Sequence, residues 1–222
     1  MKTLVNSLTR TALEVVCRID DSELAKIPAT GPLILYCNHT GQVEVPLLYT
    51  ELQPRRITGM AKSELWDNWF LRKLLDLWGA IPIHRGEADM PAMRAALKAL
   101  EQGQILAIAP EGTLNKTGVL RRAHSGIVAL AIRSGAPLIP LAHWGSERLI
   151  PNLKRVRRTD FHIRVGKPFK LDLGRQRATR VVRRQLLDQM MFRLSALLPR
   201  DYRGAYSGLD QATNEHLQRV DL

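Results

Sequence analysis

Acidic side chains are scarce in this chain relative to basic ones: 21 Asp and Glu stand against 33 Lys and Arg in 222 residues, leaving a net charge of +12. Cysteine is nearly absent. Cys17 and Cys37 are too few for a disulfide framework and neither lies in a Cys-x-x-Cys pattern, which argues against a stapled secreted scaffold and favours a reducing compartment. Long apolar runs are missing as well. With no stretch of 18 apolar residues, and no continuous apolar segment near the amino terminus ahead of a small-residue cleavage site, neither a transmembrane helix nor a signal peptide is expected. Repeats and low-complexity linkers are also lacking, so a hydrophobic content of 45% suits one domain with a substantial core.

The positive charge is concentrated. Between Pro151 and Arg184 there are 12 Lys or Arg against Asp160 and Asp172, a local excess of +10. Such a density suits phosphate groups, and charge alone admits either nucleic acid or anionic lipid. The run Lys154-Arg155-Val156-Arg157-Arg158 would hold anionic headgroups at about 1 kcal/mol per well-placed cation, with a solvated face as the alternative. A nucleic-acid-binding protein is the weaker reading, because no recognition helix or stacking motif accompanies the cations.

Periodicity predicts alternating strands and helices. Residues 3–18 form an amphipathic stripe, either interfacial or packed on the domain. A turn at residues 28–32 precedes a strand ending at Cys37. Residues 65–78 read as a helix closed by Gly79, with its tryptophans assigned to the core in preference to a lipid-facing belt. Residues 80–83 are extended, 90–102 helical, 104–109 a buried strand, 124–133 helical, and 137–142 and 161–165 strands. A basic amphipathic helix is expected over 175–198. The order implies a single α/β domain with an open, mostly parallel or mixed sheet flanked by helices and an amphipathic N-terminal helix, with ligands outside the carboxyl ends of the strands. The segments are then 1–27, amphipathic; 28–200, the main domain; and 201–222, a C-terminal tail.

His39 and Glu44 fall at such a strand end. A neutral imidazole can take a proton from an alcohol if a carboxylate fixes its tautomer and stabilises the imidazolium that forms. Positions five apart sit about 140° around a helix, so the two meet only if His39 lies in a turn and Glu44 near a helix start, which Pro46 in a first turn would suit. The loop Pro110-Glu111-Gly112-Thr113 opens from another strand end, and its glycines permit close approach to a ligand. It is not a Walker A loop, and no Gly-x-Ser-x-Gly elbow offers a serine nucleophile.

Four blocks in order resemble the lysophospholipid and glycerophospholipid acyltransferases, typified by lysophosphatidic acid acyltransferase. Asn38-His39 with Glu44 is similar to that family's N-H-x-x-x-x-D pattern, and residues 79–85 to its segment ending in arginine. Pro110-Glu111-Gly112-Thr113 matches P-E-G-T-R, and Leu138-Ile139-Pro140-Leu141 resembles a strand with a central proline. The resemblance implies acyl transfer from an acyl thioester, on coenzyme A or acyl carrier protein as co-substrate, to a hydroxyl of a lysophospholipid, most simply 1-acylglycerol-3-phosphate. It implies His39 as general base, Glu44 as its orienting carboxylate, and Arg85, Glu111, Gly112 and Thr113 as acceptor-binding residues, with no metal and no cofactor. It also implies a peripheral protein on the cytoplasmic side of an anionic membrane. Two departures stand out: Glu44 is one methylene longer than the family's aspartate, and Leu114 replaces its arginine, for which Arg121, Arg122 or His124 are candidate substitutes.

Overall fold

The computed structural model describes residues 2–41, 43–84 and 89–222. Helix α1 (Lys2–Val16) runs into strand β1 (Cys17–Asp20), followed by β2 (Leu33–Cys37), α2 (Glu44–Glu51), β3 (Ile57–Lys62), α3 (Trp69–Trp78) and β4 (Ile81–Ile83). The second half contains α4 (Met90–Glu101), β5 (Ile105–Ile108), α5 (Gly126–Ser134), β6 (Leu138–Trp144), α6 (Leu149–Leu153), β7 (Thr159–Val165), β8 (Phe169–Leu171), α7 (Arg180–Ala196) and β9 (Leu217–Arg219). The described strands form one sheet in the order β1-β7-β6-β2-β5-β3-β4, with β8 paired to β6 and β9. From β6 to β4 all neighbours are parallel, whereas β7 runs antiparallel to β6.

Strand β2 is the middle of this arrangement, and all five of its residues are buried. Side chains alternate across a strand. Ile34 and Tyr36 therefore enter the core beneath α4, α5 and α7, while Leu33, Leu35 and Cys37 enter the opposite core with Leu47, Leu48 and Trp78. Burial on both faces explains why β2 reads as an unbroken apolar run. Tyr36 keeps its hydroxyl satisfied by donating to the Met190 carbonyl at 2.9 Å.

Several expectations are corrected. The predicted helix over 65–78 is two elements, because the Asn68 side chain accepts from the amides of Phe70 (3.0 Å) and Leu71 (3.1 Å) and starts α3 afresh. The core assignment of the tryptophans holds for Trp78, which stacks on Tyr49 at 4.7 Å. Trp69, thrown onto the first turn of α3 by the cap, is 70% exposed, with Lys73 over its ring. Helix α1 ends at Val16, and Cys17 starts a strand paired with Thr159. It packs on its own domain through Asn6, which accepts from Trp78 Nε1 at 3.2 Å, while Leu4, Leu8 and Val15 stay exposed. Residues 201–222 do not trail away: Tyr206 is buried and β9 pairs with β8.

Candidate active site

The parallel strands β2, β5 and β6 end on the same edge of the sheet, and the loops that leave them meet there. Asn38, the first residue after β2, is fully buried. Its side chain donates to the His143 carbonyl at 2.7 Å and accepts the His143 amide at 3.0 Å, continuing the β2–β6 ladder by one side-chain rung. The chain then turns, so that His39 lies in a loop and Glu44 opens α2, which is the arrangement the five-residue spacing requires.

His39 Nδ1 lies 2.7 Å from Glu44 Oε1. The same carboxylate oxygen accepts the Gly41 amide at 3.0 Å, closing the loop onto the helix start. Glu44 is 2% exposed, and its Oε2 is buried with no hydrogen-bond partner among the described residues. Burial works against its ionisation, but the His143 and His39 imidazoles and backbone amides outweigh it, so its pKa lies below the usual carboxylate value. His143 is itself pushed down by burial and is neutral near pH 7. The hydrogen bonds from His39 and Gly41 therefore carry more of the effect than any charge on His143. An ionised Glu44 is acceptor-only, so His39 Nδ1 carries a proton, leaving Nε2 of the neutral ring as the accepting nitrogen on a side chain that is 24% exposed.

Loop 110–118 is fastened to this turn. Glu111 Oε1 accepts the His39 amide at 3.2 Å and Oε2 the Arg121 amide at 2.9 Å, and the Asn115 amide donates to the His39 carbonyl at 2.7 Å. Glu111 is buried, and burial raises its pKa despite these amides. Its carboxylate thus braces His39 from the backbone side. Gly112 adopts φ +68, and a Cβ there would come within 3.1 Å of the His124 ring. Thr113 is exposed at the loop tip. Arg121 and Arg122 are exposed beside the same loop, Arg121 being the residue whose backbone amide donates to Glu111 Oε2. Arg85, expected to bind the acceptor, lies outside the described residues.

Sequence reasoning missed the layer beneath. His143 is completely buried, with Nε2 2.5 Å from the Asn38 carbonyl and Nδ1 3.3 Å from Thr40 Oγ1, which in turn lies 2.8 Å from Ser146 Oγ. Nε2–H therefore donates to the carbonyl and the neutral Nδ1 accepts from Thr40. A histidine in an apolar strand gave no pattern, although Gly41 was a signal: a Cβ there would sit 2.5 Å from Ser146 Oγ.

Fold and site define one α/β domain with a histidine–carboxylate pair at the carboxyl edge of its sheet. The Acyltransferase family model matches residues 18–144, and the chain belongs to that family. A Bacillus subtilis protein named 1-acyl-sn-glycerol-3-phosphate acyltransferase is 33% identical over 120 residues, 54% of this chain and 59% of that one. The Dictyostelium discoideum protein named Taffazin is 30% identical over 68% of this chain and 57% of its own length. A lyso-ornithine lipid O-acyltransferase of Pseudomonas aeruginosa is 30% identical over 50% of this chain and 42% of its own. The chain thus spans about half the length of the curated relatives it matches. Among solved structures, the 1-acyl-sn-glycerophosphate acyltransferase PlsC of Thermotoga maritima shares the fold, with a TM-score of 0.64 at 18% identity over 88% of this chain and 78% of that one. Among the described residues no helix is long and apolar enough to cross a membrane.

Proposed function

We propose that this protein transfers an acyl group from a thioester, carried on coenzyme A or acyl carrier protein, to a hydroxyl of a lysophospholipid at a membrane surface. The observation that carries the reading is the 2.7 Å contact between His39 Nδ1 and Glu44 Oε1, which in the neutral imidazole places the proton on Nδ1 and leaves Nε2 as the accepting nitrogen. Nε2 takes the acceptor's hydroxyl proton as that oxygen bonds to the thioester carbonyl carbon. The tetrahedral oxyanion collapses, the C–S bond breaks, and the leaving thiolate takes the proton back from the imidazolium. An alcohol is too weak a nucleophile to attack unaided, and general-base assistance contributes roughly 100- to 10,000-fold. Glu111 keeps the His39 backbone in place, and Gly112 and Thr113 line the approach. Exposed Arg121 is suited to an acceptor phosphate, supplying the guanidinium that Leu114 does not.

The names of the Bacillus and Thermotoga proteins support 1-acylglycerol-3-phosphate as acceptor, giving phosphatidic acid. Leu114 and the Pseudomonas relative favour a second reading, in which the same pair acylates a different lysolipid, such as a lyso-ornithine lipid. The test is to incubate the protein with one labelled acyl thioester and a panel of lysolipids, measuring thiol release and the product lipid by mass spectrometry. Release without any acylated lipid would contradict the proposal.

A further inference from the structure

The turn between α6 and β7 carries a side chain that neither folding nor solubility explains. Val156 has φ +52, a left-handed conformation that β-branched residues adopt at a cost and that Gly or Asn adopts readily. It is also 95% exposed, so no burial offsets that strain. The turn is nonetheless well made: the Val156 amide donates to Leu153 O at 3.0 Å, and the amides of Arg155 and Arg157 both donate to Asn152 O at 2.9 Å. Ile150 and Leu153, six and three residues earlier, are more than half exposed, whereas Leu149 packs against the core.

Cations surround these apolar tips. Lys154, Arg155 and Arg157 are exposed and make no ion pair among the described residues. Arg158 instead donates to the carbonyls of Glu14 (2.5 Å) and Cys17 (2.6 Å), tying the turn to the end of α1, where Val15 is exposed too. The segment is also close to the site. Ser146, three residues before α6, contacts Thr40 and Gly41 in the His39 loop.

We propose that residues 150–157 are a docking wedge for an anionic lipid bilayer, with Ile150, Leu153 and Val156 entering the acyl boundary and Lys154, Arg155 and Arg157 meeting lipid phosphates. The choice of a lipid surface rests on the acyl-transfer reading, which needs the site held where a lysolipid can leave the bilayer. The patch chemistry favours lipid over the other polyanion: duplex phosphates would use the cations but give three exposed aliphatic tips nothing to bury against. A second copy would have to supply carboxylates, and Glu147, the one acidic residue from 146 to 158, is already taken by Tyr202 Oη at 2.6 Å.

The experiment uses the full chain, vesicles of phosphatidylcholine with and without 30% phosphatidylglycerol, and two variants. Wild type should co-sediment with the anionic vesicles and little with the neutral ones. Replacing Lys154, Arg155 and Arg157 together by Gln should lower partitioning about 100-fold, near fivefold for each cation. Val156→Gly should lower it roughly tenfold through lost apolar insertion, while its thermal midpoint equals or exceeds that of wild type because glycine relieves the left-handed strain. Binding that is the same for Val156→Gly as for wild type, equal binding to both vesicle types, tighter binding to duplex DNA at the same ionic strength, or concentration-dependent dimerisation abolished by Val156→Gly would each overturn the proposal. Acyl transfer to a short-chain, water-soluble lysolipid should be unchanged in both variants. If vesicle binding behaves as expected but this soluble reaction is absent in wild type, the docking surface stands and the acyl-transfer reading falls.

Discussion

Replacing Glu44 by Gln keeps the shape of a buried side chain and removes its charge. In the folded protein Oε1 accepts both His39 Nδ1–H at 2.7 Å and the Gly41 amide at 3.0 Å, so a correctly oriented glutamine oxygen preserves both contacts. What disappears is the attraction between the carboxylate and the imidazolium that forms as the hydroxyl proton is taken. With the two charge centres about 4 Å apart, an effective dielectric constant near 20 gives about 4 kcal/mol, which corresponds to a rate factor of about 1,000. The glutamine NH2 would also replace Oε2, which has no partner among the described residues, adding a buried unsatisfied donor. Expected is a fall in kcat of about 100- to 10,000-fold with KM for the lysolipid nearly unchanged, read by thiol release at saturating thioester. Glu44→Asp retains the charge but draws the carboxylate back by roughly one C–C bond, about 1.5 Å. That opens the 2.7 Å contact beyond hydrogen-bond range unless the loop moves, so its kcat should lie between wild type and Glu44→Gln. A Gln variant with wild-type kcat would refute the role given to the carboxylate.

The remaining predictions concern the framework around the pair. Glu44 is held below its ordinary pKa of 4.5, so the stability it contributes is complete above pH 4.5 and lost as pH falls through the folded value; the urea-midpoint gap between wild type and Glu44→Gln should therefore shrink below pH 4.5, and a gap constant from pH 6 to 3 would contradict it. Glu111, held above its ordinary value of 4.5, acts in the opposite direction: its contribution is complete below pH 4.5 and lost as pH rises through the folded value. Glu111→Gln should cost about 1–3 kcal/mol, because one of the two amides it accepts would face an NH2 group; an unchanged denaturation curve would remove its bracing role. Gly145→Ala should destabilise by at least about 1–3 kcal/mol, since φ is +102 and the added Cβ would sit 2.1 Å from Asp160 O; a wild-type thermal midpoint would refute this.

The parts that sequence made legible are those where one residue type has one physical use. The unbroken apolar run of β2 and the glycines that stop α3 and α5 in left-handed conformations marked real elements. The five-residue spacing from His39 to Glu44 constrained the turn well enough to anticipate the pair. Strands β1 and β3 escaped because one continues an amphipathic helix without a break and the other contains Gly59 and ends on Lys62, so neither shows a clean alternation. The three-residue strands β8 and β9 are too short to carry a period at all. Asn38 and His143 lie 105 residues apart, and their hydrogen bonds exist only because β2 and β6 are neighbours. Leu114 stands where the resembled motif has an arginine, but which arginine stands near the Glu111 loop depended on how that loop folds back toward Arg121.

The central claim is that His39 removes a proton from a lipid hydroxyl. Its most direct test compares wild type with His39→Ala in a reaction containing acyl-coenzyme A and lysophosphatidic acid, following phosphatidic acid by mass spectrometry and free thiol in parallel. The account predicts matched formation of lipid and thiol by wild type, and a loss of roughly 100-fold or more in the variant with its thermal midpoint preserved. Equal product formation by the two proteins would contradict it.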